Sequence, residues 1–312
     1  VWRSIIRSVI SAGMLWYTNR WIPLAGFSRE SFRSLFSFGS RLLLSNLIDT
    51  IYNNVFLLII GKFYSASQLG FFTRADQFSR LISKNLTGTV QRVSYPVLSQ
   101  VQDENERLRE GYRKIIMATM FVTFTVMLGM AAFSESMIVT LIGKKWLPAV
   151  EFLQLLCLAA MLYPLQALNL NIFNIKGRTD IMLRLEIVKK LLAVPVIVIG
   201  IYAGIMSLLV GMVLHSLLCY FINAYYSGRL IGYRVREQLA DIIPSFLVAL
   251  LVAVPVYALR FIPGLPQPVI LLLQVSLLLI LTVFLAKRLR LQGYLEIRNI
   301  VFEKIPALKR WL

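Results

Sequence analysis

The sequence is poor in the residues that carry most protein chemistry. It holds one histidine, His215, two cysteines, Cys157 and Cys219, and 15 acidic residues against 33 lysines and arginines. No CxxC, HExxH, GxxxxGK[ST] or GxSxG motif occurs, so zinc ligation, nucleotide hydrolysis and serine-based hydrolysis have no candidate residues. Each cysteine lies inside an apolar run, where a thiol packs as a small hydrophobe, and no disulfide framework is visible. The chain opens at Val1 without a signal peptide, already in what reads as a membrane helix, and the expectation is a fragment whose N-terminal portion is missing. Catalysis, a cofactor and a metal are not expected.

Apolar residues are what the chain has in excess. Of its 312 residues 58% are hydrophobic and 15% charged, with a mean hydropathy of +0.71. A soluble domain is nearer half apolar and a quarter charged, and one core of this size could not hide so much apolar surface, which excludes a soluble enzyme. Nine apolar windows stand between short charged or Gly/Pro-rich breaks: 1–19, 37–61, 72–98, 112–142, 147–175, 180–202, 205–231, 242–261 and 268–286. At about 20 residues per span these predict about nine transmembrane helices, because the windows lack strand periodicity and exceed what a barrel strand needs. The predicted fold class is all-α, a polytopic membrane helix bundle.

The net charge of +18 follows from topology and does not call for nucleic acid as a partner. Breaks at 20–41, 101–114, 176–190, 227–238 and 287–312 collect 23 of the basic residues, and the opposite breaks hold only 5: Lys62, Arg74, Lys144, Lys145 and Arg260. The first set is therefore assigned to the cytoplasm. On that side residues 21–36 read as an interfacial elbow with Ser28 as N-cap and Phe32, Leu35 and Phe36 on one face. Asp103-Glu104-Asn105-Glu106 reads as a capping box. The tail, 289–312, reads as an amphipathic helix on anionic lipid, interleaving Leu295, Ile300, Phe302, Ile305 and Trp311 with Arg298, Lys304, Lys309 and Arg310.

Polar patterning inside the apolar windows marks the candidate site. Residues 242–261 and 268–286 contain almost no polar side chain and are expected to face lipid on most sides. Segment 37–61 differs, for Arg41, Ser45, Asn46, Asp49, Thr50, Asn53 and Asn54 recur in steps of four on one face. Segment 72–98 repeats the pattern with positive charge: Asp76, Gln77, Arg80, Ser83, Lys84, Thr87, Gly88, Gln91 and Arg92. An ion at the bilayer centre costs about 2.5 to 3.5 kcal/mol on insertion scales, so three cations on one face imply a wet cavity or anionic partners. The alternative is a buried polar network without ligand, in which Asp49 or Asp76 neutralises Arg80 or Lys84 across the hairpin through residues 61–70. One carboxylate per helix cannot serve Arg41, Arg80, Lys84 and Arg92 together.

Weaker features have structural readings. Ser207, Gly211, His215, Cys219 and Asn223 fall four apart, as on a closely packed membrane helix, which makes His215 an interhelical hydrogen-bonder. Glu186 can pair with Lys189 or Lys190 on its own helix. Pro164, Pro195 and Pro255 are expected to kink their spans. Gly200-x-x-x-Gly204 matches GxxxG but falls at a predicted turn, so the match is taken as accidental.

Ser37-Phe38-Gly39, Leu57-Leu58-Ile59-Ile60-Gly61-Lys62-Phe63, Leu69-Gly70-Phe71-Phe72-Thr73-Arg74-Ala75, Tyr95-Pro96-Val97-Leu98-Ser99, residues 102–109, Gly143-Lys144-Lys145-Trp146-Leu147-Pro148-Ala149 and Leu185-Glu186-Ile187-Val188-Lys189 together resemble the Wzx-like polysaccharide flippases. These belong to the MATE-like multidrug/oligosaccharidyl-lipid/polysaccharide exporter superfamily. The resemblance implies fourteen helices in two lobes of six with an accessory pair. Residues 1–20 would be the last helix of the first lobe, 21–36 the elbow, 37–232 a MATE-like C-terminal lobe, 240–288 the two accessory helices and 289–312 the cytoplasmic tail. It also implies that the two striped helices line a central cavity where basic groups meet the diphosphate of an undecaprenyl-linked sugar. Cavity roles are carried to Arg80, Lys84, Arg92, Arg41, Asp49 and Asn53.

The expected function is thus a bacterial inner-membrane, multi-pass flippase moving a lipid-linked oligosaccharide, with membrane lipids and a polysaccharide polymerase or glycosyltransferase as further partners. A cation-coupled drug exporter of the same superfamily would favour acidic and aromatic cavity residues, against the basic bias of 72–98. A membrane glycosyltransferase or polymerase would need indispensable external carboxylates, and a non-transporting scaffold would tolerate loss of Arg80 and Lys84.

Overall fold

The computed structural model describes residues 2–19, 29, 32, 33, 36 and 54–304. Residues Val1–Asn54 and Val55–Leu312 form two compact units. In the first, α1 (Trp2–Asn19) carries exposed apolar side chains from Ile5 to Trp16. Positions 29, 32, 33 and 36 are helical, with the Phe32 and Phe36 rings stacked at 5.7 Å, and the rest of the expected elbow lies outside the described residues.

The second unit is a helix bundle with no strand among the described residues. Its elements are α2 (Asn54–Phe63), α3 (Ala66–Ser99), α4 (Asn105–Ala132), α5 (Ser134–Ile142), α6 (Ala149–Ala160) and α7 (Tyr163–Ile175). They continue with α8 (Thr179–Ala203), α9 (Ile205–Ile231), α10 (Val235–Ala258), α11 (Gln267–Arg288) and α12 (Gln292–Lys304). Among the described residues five helical stretches are long and apolar enough to cross a membrane: Asn105–Ala132, Ala149–Ile175, Ile205–Ile231, Val235–Phe261 and Gln267–Arg288. Against the nine expected, α3 and α8 have the length, 34 and 25 residues, but carry the charges that give the candidate site its interest. Large apolar side chains such as Leu183, Leu191, Ile199, Leu251, Leu272, Ile280 and Phe284 point outward, as a lipid-facing surface requires.

Several boundaries differ from expectation for physical reasons. Segment 112–142 is two helices broken at Phe133, whose N–H still bonds Gly129 O. Segment 147–175 is likewise two, because Pro164 opens α7 where its missing N–H costs nothing, and does not kink a continuous span. Pro195 and Pro255 do lie inside α8 and α10. Asp103–Glu106 is not a capping box: the N-cap is Glu104 and its side chain bonds no backbone amide. The box forms instead at Ser65, whose hydroxyl accepts from Gln68 N at 3.2 Å while Ser65 N donates to Gln68 Oε1 at 3.2 Å. Gly204 does form a turn, at φ 95° between α8 and α9, but Gly200 is no accident, since a Cβ there would lie 2.6 Å from Leu208 Cδ1. The tail helix α12 packs on α4, with Leu291 buried and Tyr294 edge-on to Phe121, so protein covers part of the face expected on lipid.

Interhelical polar contacts hold the bundle, because lipid gives apolar faces little reason to prefer each other. His215 Nε2 lies 2.9 Å from Lys189 O and Gly211 admits Val196, as the stripe on α9 suggests, and Lys189 pairs with Glu186 on α8, as their spacing suggests. Both cysteines are buried and free. Asn169 on α7 accepts from Tyr112 Oη of α4 at 2.8 Å and from Ser227 Oγ of α9 at 2.5 Å, joining three helices at one buried amide. Such bonds are worth about 0.6 kcal/mol each, rising to about 1.7.

Helix α10, the first of the two expected to be accessory, is tied to α4 near its N-terminal end. Arg109 meets Glu237 at 3.0 Å, and Arg113 grips Asp241 with Nε and Nη2, both at 2.6 Å. Tyr233 donates to the same carboxylate at 2.6 Å; burial first and that bond second push its phenol far above the usual range, so it remains a donor. A second core of Phe121, Val248, Val252, Val256 and Leu278 continues this contact along α4, α10 and α11. Arg113→Lys keeps the charge but loses the fork, and should lower thermal stability in detergent by about 1 kcal/mol, whereas Arg109→Lys should cost less; differential scanning fluorimetry of both variants checks the order.

Candidate functional site

Helix α3 positions the cations. Its seam of small polar residues, Asp76, Ser79, Ser83 and Thr87, is buried, and the helix packs on α4, α6 and α7. The hydroxyls turn back on their own helix, Ser79 to Asp76 O at 3.2 Å and Thr87 to Ser83 O at 2.7 Å, and so let neighbouring backbones approach. Three of the nine predicted stripe positions, Asp76, Ser83 and Thr87, are therefore packed against protein and do not face water.

The flank of this seam carries Arg80, Lys84 and Arg92. Arg80 Nε bonds Asp76 Oδ1 at 2.6 Å one turn away, with the carboxylate side chain 11% and the guanidinium side chain 32% exposed. The pairing alternative is thus realised for Arg80, within its own helix rather than across the hairpin. Lys84 is exposed and has no ion-pair partner among the described residues. Arg92 is exposed and donates to Thr89 Oγ1 at 3.3 Å. Positions 80 and 92 are about 120° apart around an ideal helix, too far for one narrow face. Gly88 reduces that gap, because Arg92 Nη1 lies 3.8 Å from where a Cβ of residue 88 would stand. The three cations consequently form a ladder about 18 Å long up one side of α3, with Asp76 as the one carboxylate bonded to it among the described residues.

Arg41, Asp49 and Asn53, and with them nearly all of the first stripe, lie outside the described residues. Sequence reasoning missed Asn169 and the Arg109, Arg113, Glu237, Asp241 group. The signal was present as two basic residues and two acidic residues, each pair spaced four apart. No group of three or more His, Cys, Asp or Glu among the described residues is placed to hold a metal ion.

Because Asp76 is nearly buried, removing its partner leaves a stranded charge, whereas Lys84 strands nothing. Arg80→Gln should destabilise the protein by on the order of 1–2 kcal/mol, and Asp76→Asn in the same chain should restore most of it. Lys84→Gln should stay within about 0.5 kcal/mol of the parent in the same thermal unfolding measurement.

Residues 1–151 match the family described as polysaccharide biosynthesis protein. The teichuronic acid biosynthesis protein TuaB of Bacillus subtilis is 30% identical over 174 residues, 55% of this chain and 36% of TuaB. The lipopolysaccharide biosynthesis protein WzxC of Escherichia coli is 26% identical over 262 residues, 82% of this chain and 53% of WzxC. The chain thus spans about a third to a half of the length of these relatives. In fold it resembles the lipid II flippase MurJ in an inward closed conformation, with a TM-score of 0.67 over 85% of this chain and 57% of MurJ at 14% identity. Over part of their length, then, this helical bundle is similar in sequence to polysaccharide biosynthesis proteins, TuaB and WzxC among them.

Proposed function

We propose that the protein translocates an undecaprenyl-diphosphate-linked oligosaccharide across the bacterial inner membrane for cell-surface polysaccharide biosynthesis. The observation that carries this reading is the ladder of Arg80, Lys84 and Arg92 with Asp76 as its one bonded carboxylate among the described residues. A cation held at membrane depth costs about 2.5 to 3.5 kcal/mol, and a phosphate oxygen about 4 Å away returns on the order of 4 kcal/mol at an effective dielectric near 20. An anion that travels through the membrane offsets the cost, and a diphosphate supplies one. The names of the relatives, which include the succinoglycan biosynthesis transport protein ExoT of Rhizobium meliloti, support an anionic glycolipid as cargo.

In this reading the lobe is 37–232, with 240–288 as an accessory pair, and residues 1–20 belong to an opposing lobe. The lobes rock between inward-open and outward-open states while the lipid tail stays in the bilayer. Arg80 is held in place by Asp76, and Lys84 and Arg92 contact the diphosphate. Cavity roles are proposed for Arg41, Asp49 and Asn53 as well. No bond is made or broken, and a polymerase or glycosyltransferase acts before or after the transfer.

Lys84→Gln with Arg92→Gln tests this without stranding Asp76. In a strain that depends on this protein, the double variant should reduce surface polysaccharide at least tenfold and cause lipid-linked oligosaccharide to accumulate in the inner leaflet, while Lys84→Arg should keep export near the parent level. Full export by the double variant at normal protein abundance would remove the reading.

A further inference from the structure

The side of the membrane assigned few basic residues nevertheless gathers three of them at one corner. The Arg74 guanidinium and the Lys145 ammonium lie over the indole of Trp146, 5.6 Å and 5.9 Å from its ring, and Lys144 shares the turn that carries Lys145 and Trp146. Arg260, on the same side, is neutralised by Glu135 at 3.0 Å. Arg74 bonds only the neutral Gln77 side chain, at 3.0 Å, and neither Arg74 nor Lys145 has a carboxylate partner among the described residues.

This corner is built. Gly143, at φ 96°, turns the chain into a 3-10 turn, Lys144–Trp146, and Phe71 of α3 meets Trp146 edge-on at 6.0 Å. The ring faces attract both cations and so hold two like charges near each other. Directly beside them opens a groove of about 390 Å³ lined by Gln68, Phe71, Leu147, Glu151, Phe152 and Met206 among others. Phe71 belongs to both features, and Leu147 follows Trp146 in the chain.

We infer that this corner is an outward-facing subsite for an acidic sugar unit, resting on the reading of the protein as a glycan translocator. A pyranose ring has an apolar face, for Phe71, Phe152 and Leu147, and a hydroxyl edge, which donates to Glu151 and Gln68. The sugar carboxylate meets Arg74 and Lys145. Cations on this side oppose the topological preference for cytoplasmic Lys and Arg, so an anionic ligand explains why they are gathered here. The subsite lies at the opposite end of α3 from Arg92 and would receive the glycan while the ladder holds the diphosphate.

The test uses the intact protein in phosphatidylcholine nanodiscs, with tri-galacturonic acid, maltotriose as neutral counterpart, and tryptophan fluorescence as readout. Tri-galacturonic acid should change the emission saturably, with half-saturation at least tenfold lower than maltotriose. Trp146→Phe should abolish the change, and the exposed pair Arg74→Gln with Lys145→Gln should raise half-saturation at least tenfold. Lys84→Gln with Arg92→Gln should leave this binding intact, which separates failure of the subsite from failure of the translocation reading. No saturable response, equal response to both trisaccharides, persistence in Trp146→Phe, or a response only when phosphatidylglycerol replaces phosphatidylcholine would overturn the inference, the last making the corner a lipid anchor.

Discussion

Close contact between the hydroxyl-lined seam of α3 and its neighbours α6 and α7 is the interaction on which the rest depends. Serine and threonine bonded to their own helix present almost no bulk, so backbones can approach where branched apolar residues would hold them apart. That approach buries Asp76 at the edge of the seam, and the buried carboxylate in turn fixes Arg80. Lys84 and Arg92 then stand on the open flank because the seam has no room for them. The direction in which the cations point is thus set by the smallest side chains of the helix.

Much of the architecture was legible in the sequence. Apolar windows located most of the helices, and four-residue spacing on α9 found the contact of His215 with α8. Helix breaks were less legible, because Phe133 carries no Gly or Pro to announce it, and Pro164 looks the same in sequence whether it kinks a helix or starts one. The charged run at 103–106 resembled a capping box, yet a glutamate N-cap that bonds no amide leaves the pattern without its geometry. Meanwhile the box at Ser65 and Gln68 had the right spacing but stood inside a stretch read only as a hairpin.

For the site, periodicity found the polar face but could not divide it. A stripe of nine polar positions on one helix covers an arc wide enough to serve both packing and solvent, and which part does which depends on where α6 and α7 lie. The pairing of Arg80 with Asp76 obeys the ordinary four-residue rule and was foreseeable from spacing alone. The approach of Arg92 to Gly88 was not, since it depends on a side chain bending along the helix toward its N-terminus.

The clasp between α4 and α10 bears on how force is distributed. Two arginines on one helix meeting two carboxylates on the other, with a tyrosine locked onto one of them, oppose sliding as well as separation. Helix α10 is therefore clamped to α4, and α11 follows through its packing on α10 and α5. A tilt of α4 is thus a load shared with its two outer neighbours, and it cannot leave them behind without breaking two ion pairs.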